Sequence, residues 1–175
     1  ALRGLSLIAL PAAFGSPQAV LDAGLAARRD VVGAVQATAL SQPAEGHAAL
    51  LAGTIEWLDD GAGPARHVLP LGDPAYPAAL LETADPPLLI YALGRLDRLR
   101  AQSLGIVGSR NPTPQGQVNA AAFATQLGEA DLTIVSGLAL GVDGAAHQGA
   151  LDTPGGTVAV VGTGLDRAYP RRHAQ

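Results

Sequence analysis

From residue 103 the sequence alternates unbroken apolar runs with segments of helical period: "LGIVGS" at 104–109, "PQGQVNAAAFATQLGEA" at 114–130, "LTIVSG" at 132–137, "GVDGAAHQGALD" at 141–152 and "TVAVVGTG" at 157–164. An apolar run without polar alternation belongs to a strand covered on both faces. Strand, helix, strand, helix, strand at this spacing requires right-handed crossovers and a parallel sheet. The expected fold class is therefore α/β, with a parallel sheet carrying helices on both faces. Val118, Ala121, Ala122, Thr125 and Leu127 fall broadly on one side of the first of these helices.

The two stretches before this region have different textures. Residues 1–64 read as a small helical module, broken at Pro11 and again at Gly15-Ser16-Pro17, where Ser16 is placed to cap a helix that Pro17 opens. A second helical segment carries Leu50, Leu51, Ile55 and Leu58 at near-helical spacing. Residues 65–102 are proline-rich, with short apolar strands at 67–71 and 88–92, and Pro74, Pro77, Pro86 and Pro87 exclude long helices. The expected division is a helical module at 1–64 and a sheet-bearing core at 65–175.

Each run of the core ends in glycine and a small polar residue: Gly108-Ser109-Arg110, Ser136-Gly137 and Gly162-Thr163-Gly164. In a parallel sheet these ends share one edge, where ligands bind. Glycine there lets a ligand approach the backbone, and hydroxyls and amides donate to anionic oxygens. A helix opening near Gly141 adds positive potential to the same edge. Arg110 brings a full charge whose planar fork suits phosphate. These eight residues are the candidate phosphate rim, set against the plainer reading of the glycines as turn residues. Arg167, Arg171 and Arg172 read equally as a basic clamp beside the third run or as the solvated start of another helix. Asp143 and His147, one turn apart, read as residues that hold the helix, with Asp143 on first-turn amides, in preference to an acid–base pair or an incomplete metal site.

Composition narrows the chemistry. The 11 basic residues are all arginine, so no Walker-type lysine loop exists, and the spacing after Gly162 is not a dinucleotide fingerprint. With no cysteine, disulfide frameworks and thiolate metal sites are excluded. The net charge of −4 argues against broad adhesion to DNA or membrane, though a local cationic site stays compatible with it. No apolar run reaches membrane-span length, no leader is evident, and a cytoplasmic location is expected. Methionine is absent even at position 1, so the sequence is expected to begin downstream of its initiator.

Taken together, "IVGSRNPTPQG", "TIVSGLALGVDGAAHQGAL" and "TVAVVGTGLDRAYPRRH" resemble the DNA-processing protein A family, also called Smf. Upstream, "FGSPQAVLDA" and "LPLGDPAYPAALLETADPPLLIYALG" resemble its helical, sterile-alpha-motif-like (SAM-like) module of helix-hairpin-helix type and the entry to its Rossmann-like core. The resemblance implies a non-enzymatic, cofactor-free protein that binds incoming single-stranded DNA during natural transformation, protects it and loads the RecA recombinase. Its DNA pocket would correspond to Gly108, Ser109 and Arg110, rimmed by Ser136, Gly137, Gly162, Thr163 and Gly164. Family members continue past "YPRRH" through further strands that carry the dimer and RecA surfaces, so the core here is expected to be incomplete.

Two other readings are weighed against this one. A phosphoribohydrolase of the lysine-decarboxylase-like type uses a Pro-Gly-Gly-x-Gly-Thr loop followed by glutamate. Pro154-Gly155-Gly156 begins such a loop, but it precedes an apolar run and lacks the glutamate. A helical module that binds only protein is the third reading.

Overall fold

The computed structural model describes residues 4–42 and 44–165, and contacts divide the chain into two units, Ala1–Tyr91 and Ala92–Gln175. The change of texture at residue 64 falls inside the first unit.

The first unit opens with short helices: α1 (Gly4–Phe14), α2 (Pro17–Asp22), α3 (Leu25–Val32) and α4 (Ala34–Ala39), followed by α5 (His47–Asp59). Ser16 caps α2 as its position suggested, its hydroxyl accepting from the Ala19 amide at 3.1 Å, with Pro17 in the first turn. Pro11 does not break α1, which runs through it to Phe14. Proline gives up its own amide donor but keeps its carbonyl, and the Pro11 carbonyl accepts from Gly15 at 2.7 Å. The break comes at Gly15, in the left-handed region at φ 86°. Leu10, Val20 and Ala37 are buried in this module, as is Arg28, whose Nη1 donates to the Leu40 carbonyl at 3.0 Å.

After α5 come the paired strands β1 (Arg66–Pro70) and β2 (Leu89–Leu93), with the single-turn helix α6 (Ala78–Leu81) between them. Buried Tyr76 closes this connection by donating to the Pro87 carbonyl at 2.7 Å. Leu50, Leu51, Ile55 and Leu58 do share a helix face, but they stay exposed and line an open groove with Val68, Leu89 and Tyr91. Where α5 meets β1, the Arg66 guanidinium lies 5.6 Å from the Trp57 ring centroid and Nη1 donates to the Trp57 carbonyl at 2.9 Å.

Nη1 of Arg66 also pairs with Asp60 Oδ2 at 2.6 Å, and Asp60 Oδ1 accepts from the Ala62 amide at 3.0 Å. The Ala62 amide first, then the Arg66 guanidinium, hold the Asp60 carboxyl below its ordinary 3.8. A lowered folded-state value gives stabilisation that is complete above the unfolded value and lost as pH falls through the folded one. Asp60→Asn is therefore expected to flatten the acid limb of the first unit's stability, below about pH 4, and to leave neutral pH nearly unchanged. Trp57 fluorescence, followed during urea unfolding across pH, checks this.

In the second unit, a 3-10 turn (Leu96–Leu99) leads into β3 (Ser103–Gly105), α7 (Pro114–Glu129), β4 (Thr133–Ser136), α8 (Val142–Ala150) and β5 (Thr157–Ala159). The three strands form a parallel sheet in the order β3-β4-β5, with Leu104 opposite Ile134 and Ile134 opposite Thr157. This is a Rossmann-like α/β unit. Because strand order advances in one direction, right-handed crossovers carry both helices to the same face. Fully buried Ile134 accordingly packs with Ala124 of α7 and with Ala146 and Ala150 of α8, joined by Ile106 and Leu127. A second helical layer requires the strand order to reverse, which it does not do among the described residues.

The inward stripe of α7 is Ala120, Ala124 and Gly128, while Val118 is exposed. Small side chains win these positions because α8 comes very close. A Cβ on Gly149 would overlap the Ala121 backbone, and the Thr125 hydroxyl donates to the Gly149 carbonyl at 2.7 Å. Gly149→Ala is therefore expected to destabilise the α7–α8 pair by about 1–3 kcal/mol, reduced somewhat by alanine's better helix propensity. Faster amide hydrogen exchange in both helices is the readout.

Candidate nucleic-acid interface

Parallel pairing brings the carboxyl ends of β3, β4 and β5 to one edge of the sheet. The strands are shorter than the apolar runs that announced them, since β3 ends at Gly105 and β5 at Ala159. Beyond those points the backbone leaves the ladder and becomes loop. Gly108, Ser109, Arg110, Gly137, Gly162, Thr163 and Gly164 are exposed along this edge. Arg110 makes no hydrogen bond or ion pair among the described residues, whereas Arg66, Arg95 and Arg98 each have a carboxylate partner. It is a cation with its donors turned to solvent. Arg167, Arg171 and Arg172 lie outside the described residues.

The β3 loop is seated on the start of α8. The Val142 amide donates to the Ser109 carbonyl at 3.1 Å, so the first amide of α8 engages the chain's own backbone. Gly108 has no room for a Cβ against the Val142 side chain, and a Cβ on Gly141 would overlap Ser109 and Arg110. Gly141 also has φ 84° and ψ −124°, a conformation that glycine alone adopts readily. The Ser109 hydroxyl accepts from the Asn111 amide at 3.1 Å, which turns the chain after Arg110.

The loop after β4 is organised inward. Ser136 is 3% exposed and its hydroxyl donates to the Ile106 carbonyl at 2.6 Å, tying β4 to the chain leaving β3. The Gly137 amide donates to Asp143 Oδ2 at 3.1 Å, and the Ala139 amide to the same oxygen at 3.4 Å. Between them Leu138 takes φ 59°, an uncommon value for a non-glycine residue. Asp143 therefore serves loop amides, not those of its own first turn. One turn on, His147 Nδ1 lies 2.7 Å from Thr157 Oγ1, and that hydroxyl donates to the Ile134 carbonyl. The two side chains thus face different neighbours, the loop and β5. No group of three or more His, Cys, Asp or Glu residues that could hold a metal ion occurs among the described residues.

Sequence reasoning found the edge and its glycines but missed how the β4 loop and α8 support the β3 loop. The one available signal was the Gly137-to-Asp143 spacing. Pro154-Gly155-Gly156, the hydrolase-like fragment, precedes β5 and so sits at the opposite edge. There the Gly155 carbonyl accepts from Thr133 Oγ1 at 2.9 Å and Arg98 Nη1 at 3.1 Å, and its amide donates to Gly128. That loop has a packing role.

Residues 67–175 match the family described as DNA recombination-mediator protein A. Protein Smf of Escherichia coli K12 is 40% identical over 119 residues, which is 68% of this chain and 31% of that protein. DNA processing protein DprA of Streptococcus pneumoniae R6 is 46% identical over 99 residues, 57% of this chain and 35% of that one. The matched region thus spans about a third of these curated relatives. Among solved structures, DNA processing protein A from Streptococcus pneumoniae aligns with TM-score 0.74 and 28% identity over 98% of this chain and 57% of its own. DNA processing protein A from Helicobacter pylori, described for its single-stranded DNA binding mode, aligns with TM-score 0.54 and 31% identity over 61% of this chain and 47% of its own.

Proposed function

The chain belongs to the DNA recombination-mediator protein A family, and from that premise we propose that it binds single-stranded DNA by seating phosphates along the exposed edge of its parallel sheet. The observation that carries this reading is Arg110, exposed and without an ion pair among the described residues, in the loop that follows β3 at the carboxyl edge of the parallel sheet. Ser109, Arg110 and Thr163 supply donors, Gly108, Gly162 and Gly164 leave room for the strand, and Ser136 and Gly137 shape the adjoining loop. Arg167, Arg171 and Arg172 are the candidate extension of the cationic edge.

Phosphate contacts of this kind give sequence-independent, salt-sensitive affinity. Aromatic residues make up only 3% of the chain, so stacking contributes little, in contrast to aromatic-lined single-strand grooves. The protein acts by binding, without catalysis or a cofactor. In the whole protein we assign this binding to the protection of incoming DNA during natural transformation and to its delivery to the RecA recombinase, by a homodimer in the cytoplasm. No helix among the described residues is long and apolar enough to cross a membrane.

Fluorescence anisotropy of labelled oligo-dT at two salt concentrations, with duplex DNA as competitor, tests the reading. Binding that weakens with salt and resists the duplex is expected. Absence of binding, or equal competition by duplex, would overturn it.

A further inference from the structure

We propose that Asp143 is the positioning residue of the phosphate edge, holding the Arg110 loop in its binding shape through the β4 loop and the start of α8. The inference rests on the single-stranded DNA reading of that edge. The Gly137 and Ala139 amides converge on one oxygen of Asp143, with Leu138 between them at φ 59°. Two such amides around a left-handed residue form a concave nest that selects an anion. In this protein the nest holds the chain's own carboxylate, which is 6% exposed. DNA phosphate therefore meets a loop that is already closed.

The same side chain is anchored one residue from the support of the Arg110 loop. Val142 donates to the Ser109 carbonyl, its side chain fills the space over Gly108, and Gly141 lies against Ser109 and Arg110. Residues 137–143 thus form a closed bracket, with the Asp143 carboxylate as its tie and the Ser109 carbonyl resting on its end. Loss of the tie frees the loop and removes the support under Ser109 and Arg110. Simple proximity of a carboxylate to phosphate predicts the opposite sign, since removing a like charge would strengthen binding.

The test is a double-mutant cycle in this chain, with oligo-dT as the probe. Asp143→Ala is expected to weaken binding about tenfold, as for one lost charge-assisted contact, and Arg110→Ala to weaken it comparably. The double variant is expected to bind no more weakly than Arg110→Ala alone, because Asp143 acts through Arg110. Asp143→Asn keeps one acceptor oxygen and is expected to recover most of the affinity. The Gly137 and Ala139 amide resonances should move upfield in Asp143→Ala and stay close to the parent in Asp143→Asn.

Unchanged or tighter binding by Asp143→Ala, or losses that add in the double variant, would overturn the proposal. If Asp143→Ala does not fold, the cycle of Asp143→Asn with Arg110→Ala is read in its place: a smaller loss that vanishes in the Arg110→Ala background supports the proposal, and no loss or an additive loss refutes it. Should the parent chain itself fail to bind oligo-dT, the DNA reading falls and this proposal with it. That result is distinct from a parent that binds and an Asp143 variant that does not differ.

Discussion

Gly141→Ala destabilises the second unit by about 2–5 kcal/mol, the combined cost of a strained backbone and an overlapping side chain. At φ 84° and ψ −124° an L-residue is strained whatever its surroundings, and the surroundings offer no space: the nearest atoms are the Ser109 carbonyl oxygen, the Arg110 carbonyl carbon and Pro112 Cδ. Relief requires α8 and the β3 loop to separate, which breaks the Val142 to Ser109 hydrogen bond. Oligo-dT binding should fall together with stability. Gly162→Ala is the matched control for stability alone, since nothing lies within 4 Å of the Cβ it would add, whereas its place on the rim takes it out of the binding comparison. Urea unfolding by circular dichroism, with hydrogen exchange in α8, reads both variants. A Gly141→Ala protein with the parent's exchange protection would show that this junction does not hold the unit together.

Arg110→Ala weakens oligo-dT binding about tenfold or more, the scale of one charge-assisted contact. The loss should be equal for all base sequences, because a phosphate contact carries no base information. The slope of log affinity against log salt should become shallower by roughly 0.7–1 unit, as one released counterion is lost. Arg110→Lys separates charge from geometry: it keeps the slope but recovers only part of the affinity, since an ammonium lacks the guanidinium's planar fork. Anisotropy across a salt series provides all three readings. An Arg110→Ala variant with the parent's affinity and slope would take Arg110 out of the site.

The sheet of the second unit was legible from its unbroken apolar runs, although among the described residues α7 and α8 cover one face only and β3 is exposed throughout, and the glycines that follow the strands announced the edge directly. The Ser16 cap was legible for a similar reason, as a local interaction written within four residues. What escaped notice depends on contacts between elements. The inward stripe of α7 follows the close approach of α8, so Ala120, Ala124 and Gly128 turn inward although Val118 and Phe123 are larger and more apolar. Pro11 reads as a breaker, yet α1 accommodates it and stops only where Gly15 enters the left-handed region.

In the candidate site the same division holds. That Gly108, Ser109, Arg110 and residues 162–164 lie exposed beyond β3 and β5 could be read from position alone. Ser136 and Gly137 could not be read fully, because their partners, the Ile106 carbonyl and the Asp143 carboxylate, come from other segments. A helix start near Gly141 was expected to face a ligand. Its first amide instead meets the Ser109 carbonyl, which makes α8 a support for the Arg110 loop.

Whether DNA phosphate lies along the carboxyl edge of the second unit's sheet is read by titrating the 15N-labelled chain with oligo-dT and following its amide chemical shifts. Shifts are expected to concentrate at residues 108–111 and 162–164, with the Gly137 and Ala139 amides much less affected because Asp143 already holds them. Shifts concentrated in residues 4–91, with the 108–111 amides unmoved at saturation, would contradict that placement.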